Sequence, residues 1–163
     1  MITVSCLTDP RSAIVQITPL AGAMRPQSRP RFVARGGIAR AYSSKSVELQ
    51  AWRETLFLAM SRVVAEGFVA EKGEPIAVSM GFYFARPASH FTSKGAWTKS
   101  APAYPGHNRG DADNLAKPVL DEAQRAGLLA DDSQVHDLRV GRYFINMPST
   151  TEMLTISFKG GSE

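Results

Sequence analysis

The chain has 163 residues, 44% of them apolar, which is enough for one domain with its own core spanning 1–163. No apolar run approaches the roughly 20 residues of a membrane helix, and one cysteine cannot form an internal disulfide, so a membrane-spanning helix and a disulfide scaffold drop out. The formal charge is only +4, but it is segregated: Pro10 to Val47 and Pro75 to Gly110 contain no Asp or Glu. A cytoplasmic protein with no membrane partner is expected, with a positive face suited to a polyanion.

In chain order, "AIVQI" at Ala13 to Ile17 reads as a short strand. "RFVARGGIARAY" reads as two strands about a Gly36 and Gly37 turn, a strongly basic hairpin. Leu49, Trp52, Leu56, Met60 and Val63 recur at steps of three and four, which predicts a core-packed helix from about Lys45 to Glu66, ended by Gly67. "PIAVSMGFYF" alternates as a strand with one buried face. Ala85 to Gly110 has no period and reads as a long loop. Its Phe91, Trp97 and Tyr104 could stack on unpaired bases, although loop aromatics more often anchor their loop. A second helix is expected from about Asn114 to Ala126, closed by Gly127 and either starting late or kinked at Pro118. "QVHDLRVGRYFI" and "EMLTISFK" read as two adjacent antiparallel strands.

Chemistry concentrates in "RGDADNLAKPVLDEAQRAGLLADDSQV", where Asp111 and Asp113 precede the second helix and Asp131 and Asp132 follow it. Carboxylates two apart on extended chain share one face and can grip one ion. Three carboxylates drawn to about 5 Å repel by about 3 kcal/mol per pair at an effective dielectric of 20, a cost that a divalent cation removes. Hard oxygen donors without a cysteine cluster select Mg²⁺, with Mn²⁺ as a substitute, over zinc, and His90, His107 and His136 are too scattered for a zinc site. Lys117, one turn beyond Asp113, can reach a phosphate oxygen or pair with Asp121. An EF-hand fails because Leu115 and Ala116 stand where a ligand and a turn glycine are needed, and no phosphate-binding or nucleophile-elbow motif is present.

The D-x-D-N-x-x-K segment, helix and DD-x-Q-V tail of Asp111 to Val135 resemble the signature of the RusA family of Holliday junction resolvases, and "RPRF" at Arg29 to Phe32 resembles a basic segment of its phage-type members. The resemblance implies an α+β fold, a single mixed and mostly antiparallel sheet with two main helices packed on it. It also implies a homodimeric, Mg²⁺-dependent endonuclease that nicks four-way DNA junctions symmetrically. Carried over by position, the catalytic and metal-binding acids match Asp111, Asp113 and Asp132, and the active-site lysine matches Lys117. Gly110, where many members place proline, and Pro118 depart from the pattern.

Arg29, Arg31, Arg35, Arg40, Lys45, Lys94, Lys99 and Arg109 are the expected DNA contacts. A helix of about 12 residues runs about 18 Å, whereas Leu128 to Asp131 spans at most about 14 Å. Asp132 is therefore expected to return within its own chain from a late helix start or, as the less favoured arrangement, to come from a second chain. A clamp without catalysis, or a nuclease acting on flaps and forks, is the competing function.

Overall fold

The computed structural model describes residues 1–6, 11–19, 23–27, 31–35, 38–42, 46–147 and 149–161, with the side chains of 4–6, 31–35, 38–42 and 107 not described. Strand β1 (Ile2–Cys6) pairs antiparallel with β2 (Ser12–Ile17), whose alternating burial agrees with its sequence. The basic hairpin forms as β3 (Arg31–Arg35) and β4 (Ile38–Tyr42), a separate two-stranded sheet, with its Gly36 and Gly37 turn outside the described residues.

Helix α1 (Val47–Ala65) starts at Ser46, whose hydroxyl accepts the Leu49 N–H, and Gly67 follows its end at a φ of 95°. Its apolar stripe is buried through Trp52, Leu56, Ala59, Met60 and Val63, each large side chain worth roughly 1.5–3 kcal/mol of burial.

Strand β5 (Ile76–Phe84) carries a strongly buried alternation, as expected. The five-stranded sheet has the order β1-β2-β7-β5-β6, where β6 is Val135–Phe144 and β7 is Met153–Gly160. Only β5 and β6 are parallel, so the sheet is mixed and mostly antiparallel, as expected. The expected adjacency of β6 and β7 is corrected, because β5 lies between them. The chain runs from β5 through a helix into β6, and that crossover makes those two strands parallel. β6 is left at an edge, which suits His136, Asp137, Arg139 and Arg142.

Helix α2 (Ala112–Arg125) starts two residues earlier than expected and runs through Pro118 instead of starting there. It packs on α1 and against β6, burying Leu115, Ala116, Val119 and Ala123 in the core shared with Val15, Met80, Phe82, Ile156 and Phe158. Charged groups reinforce the helix pair. The fully buried Glu122 accepts from Arg53 Nε at 2.6 Å and Arg125 Nη1 at 3.0 Å. The long loop is also ordered locally, with a 3-10 turn at Ala88–His90, a bridge between Phe91 and Trp97, and a second 3-10 turn at His107–Arg109.

Candidate active site

Asp111 is the N-cap residue of α2 with extended backbone, yet its side chain makes no capping bond, and Asp113 lies in the first turn. Both are solvent-exposed. Lys117 and Asp121 continue the same stripe at four-residue steps, and Lys117 Nζ sits 3.3 Å from Asp121 Oδ1. The lysine side chain remains 57% exposed, so this pair is one of the weak surface kind and leaves the ammonium available.

Gly110 and the Pro118 turn both meet the segment 23–27. Gly110 has a φ of 87°, a region closed to proline, whose ring holds φ near −65°. A Cβ there would lie 2.5 Å from Cβ of Pro26, so glycine admits the segment 23–27 against the start of α2. Pro118 has no N–H to offer the carbonyl of Asn114, four residues back; that carbonyl instead accepts the Gln27 N–H at 2.7 Å. The helix thus tolerates Pro118, and the same segment is bonded to Asn114 and lies close against Gly110 beside Asp111. Arg31, the first residue of the hairpin, follows Gln27 by four residues, at most about 14 Å of chain.

Two residues with no signal in the sequence support this approach. Arg142 Nη1 on β6 donates to the Gly110 carbonyl. Glu152, fully buried just before β7, lies 3.5 Å from Arg109 Nη1, and neither of its oxygens accepts a hydrogen bond from a described residue. Arg109, expected on DNA, is 29% exposed with its guanidinium turned to Glu152 and set 5.6 Å over the Phe84 ring. Lys94 and Lys99 are exposed, as a phosphate contact requires. Arg31, Arg35 and Arg40 fall on the hairpin with side chains not described, and Arg29 and Lys45 lie outside the described residues.

The second acidic pair sits elsewhere. Asp131 caps a 3-10 turn at Asp132–Gln134 by accepting the Ser133 N–H at 2.8 Å, and hydrogen bonding from the Ser133 side chain first, then from this N–H, holds its carboxyl below the usual carboxylate range. Asp132 is exposed and precedes Val135, the register partner of Ile76 at the start of β5. Gly110, by contrast, is tied to Arg142, the partner of Phe82 near the other end of β5. The 14-residue α2 separates the two pairs by about 20 Å. The expected return of Asp132 within one chain is therefore absent. Among the described residues no three His, Cys, Asp or Glu side chains are grouped to hold a metal.

Asp111 and Asp113 are exposed oxygen donors of the type Mg²⁺ takes, since Mg²⁺ commonly uses one or two protein carboxylates and fills its octahedron with water and substrate phosphate. Among the described residues no helix is long and apolar enough to cross a membrane. No curated protein matches the chain. The family described as "Endodeoxyribonuclease RusA" matches residues 21–153, a span that runs from before the basic hairpin through both acidic pairs to the start of β7. The chain belongs to the RusA family of endodeoxyribonucleases.

Proposed function

We propose that this protein is a Mg²⁺-dependent, structure-selective endodeoxyribonuclease that works as a homodimer and resolves four-way DNA junctions by paired, symmetric nicks. The observation that carries the reading is the exposed Asp111 and Asp113 pair at the start of α2, with Lys117 one turn on, in a chain of this family. When bound, a divalent cation, Mg²⁺ or Mn²⁺, supplies Lewis-acid polarisation of the scissile phosphate.

The chain's own residues prepare that step. Asp111 and Asp113 offer the oxygen donors, and Arg142 steadies them by gripping the Gly110 carbonyl. Lys117 leaves Asp121 at a cost of a few tenths of a kcal/mol and donates to a phosphate oxygen, sharing the charge that builds on it. Lys94, Lys99 and the arginines of the basic hairpin draw in the phosphates without reading sequence. The third acid is Asp132 of the partner subunit, because within one chain α2 keeps it about 20 Å away. A junction presents two equivalent strands, and a twofold dimer presents two equivalent sites.

The test is a synthetic four-way junction beside a flap and a plain duplex, each with Mg²⁺ or EDTA, using wild-type protein and Asp113→Asn. The junction is nicked at symmetric positions only with Mg²⁺, and Asp113→Asn binds it without cutting. Cutting in EDTA, or undiminished cutting by Asp113→Asn, refutes the reading. Preferential cutting of the flap replaces the junction as substrate.

A further inference from the structure

We propose that Trp97 is a stacking platform for an unpaired DNA base at the branch point, flanked by Lys94 and Lys99 as phosphate contacts; the inference rests on the nuclease reading above. Three layers build the platform. The Phe144 ring, last on β6, lies under the Arg86 guanidinium at 4.5 Å, and the Trp97 ring covers the same guanidinium at 4.2 Å. Arg86 is only 4% exposed and donates from Nη1 to the Pro102 carbonyl at 2.9 Å, so the middle layer is held from inside the protein. His90 meets Phe144 edge-on, with centroids 5.5 Å apart.

The arm that presents the indole is closed by backbone bonds. Thr98 N–H donates to the His90 carbonyl at 3.0 Å, Thr92 N–H to the Ala96 carbonyl at 2.7 Å, and Phe91 bridges to Trp97. An aromatic that serves only to anchor a loop is covered. Trp97 instead remains 49% exposed after its contact with Arg86, whereas Trp52 is 2% exposed in the core. An indole braced over Arg86 and still half exposed matches the geometry of a base-stacking residue, and the buried guanidinium holds the ring in place through a cation–π contact.

Charge and position identify the occupant. Pro75 to Gly110 contains no acid, and Lys94 and Lys99, on either side of Trp97, are exposed, which suits a polyanionic chain carrying a flat apolar group. An open groove of about 460 Å³ lined by Arg86, Ala88, Phe91, Ser149 and Thr150 borders the same arginine. Phe144 is the register partner of Phe84, over whose ring Arg109 lies, two residues before Asp111. Phe144, beneath the platform, and Phe84, beneath Arg109, therefore lie side by side on neighbouring strands about 4.8 Å apart. A base leaving the stack at the branch is received by Trp97, and its phosphates by Lys94 and Lys99.

The experiment uses Asp113→Asn protein and a four-way junction with 2-aminopurine at the branch, reading affinity by mobility shift and stacking by fluorescence. Binding quenches the 2-aminopurine. Adding Trp97→Phe preserves the quench, and adding Trp97→Leu removes it and weakens binding about 5- to 160-fold, the range one stacked base supplies. Lys94→Ala with Lys99→Ala weakens binding but keeps the quench. An unchanged quench and affinity in Trp97→Leu overturns the platform while leaving the nuclease reading intact. Failure of Asp113→Asn protein to shift any branched DNA overturns both.

Discussion

Replacing Gly110 with alanine tests how the acid pair is positioned. At a φ of 87° an alanine carries the left-handed penalty of about 1–2 kcal/mol. Its Cβ would also stand 2.5 Å from Cβ of Pro26 and 2.7 Å from its Cγ, a proline whose segment is fastened to Asn114 by Gln27, so retreat is opposed. Overpacking of this kind costs about 1–3 kcal/mol, giving about 2–5 kcal/mol in all. Gly127→Ala is the internal control, because Gly127 has a φ of 78° but nothing within 4 Å of its would-be Cβ, leaving only the backbone penalty. Urea unfolding followed by circular dichroism compares the two free energies, and in thermal melts each kcal/mol moves the midpoint by about 2–4 °C for a chain of this length. Gly110→Ala is expected to lose about 1–3 kcal/mol more than Gly127→Ala, and its Gln27 amide to exchange faster. Equal losses, or a Gly110→Ala loss under about 0.5 kcal/mol, would refute the docking of segment 23–27 on α2.

Lys117→Ala should lower the rate of junction cutting about 100-fold, the scale of losing one transition-state donor, while unfolding free energy moves by less than about 0.5 kcal/mol; an unchanged rate removes the lysine from the chemistry. Hydrogen bonding from the Ser133 side chain and N–H depresses the pKa of Asp131, so its contribution is present above the unfolded value near 4 and is lost as pH falls through the folded value. Asp131→Asn should therefore lose less stability than wild type between about pH 5 and pH 2, and parallel urea-midpoint curves would contradict this. Glu122→Ala should cost about 2–3 kcal/mol in urea unfolding, since two charged hydrogen bonds vanish while Arg53 and Arg125 regain water; a loss under about 1 kcal/mol would show that the buried carboxylate does not hold α1 to α2.

The fold was legible where burial sets a period. The α1 stripe and the alternation in β5 pointed to one core, and the core contains both. β1 was missed because "ITVSC" is short and becomes a strand through its register with β2, from Ile2 against Ile17 to Cys6 against Ala13. The start of α2 was misjudged because the cost of Pro118 is offset by the Gln27 amide, far away in the chain. Pairwise spacing along a sequence carries no trace of such a partner. At the candidate site the acid pair and Lys117 were visible as residue types at fixed steps, but Arg142 and Glu152 were not, since only the fold brings them to Gly110 and Arg109. The placement of Asp132 turned on helix length, and an unbroken 14-residue helix carries it away from Asp111.

Mixing subunits is the most direct test that the site is shared. Protein carrying Asp111→Asn is combined with protein carrying Asp132→Asn, each inactive alone, and strand nicking of a four-way junction is measured in Mg²⁺ after subunit exchange. A site built across the dimer leaves one intact set of acids in every mixed pair, so nicking of a single strand returns. Continued inactivity of mixtures shown by mass to contain mixed dimers, or a chain that stays monomeric while it cuts, would contradict the account.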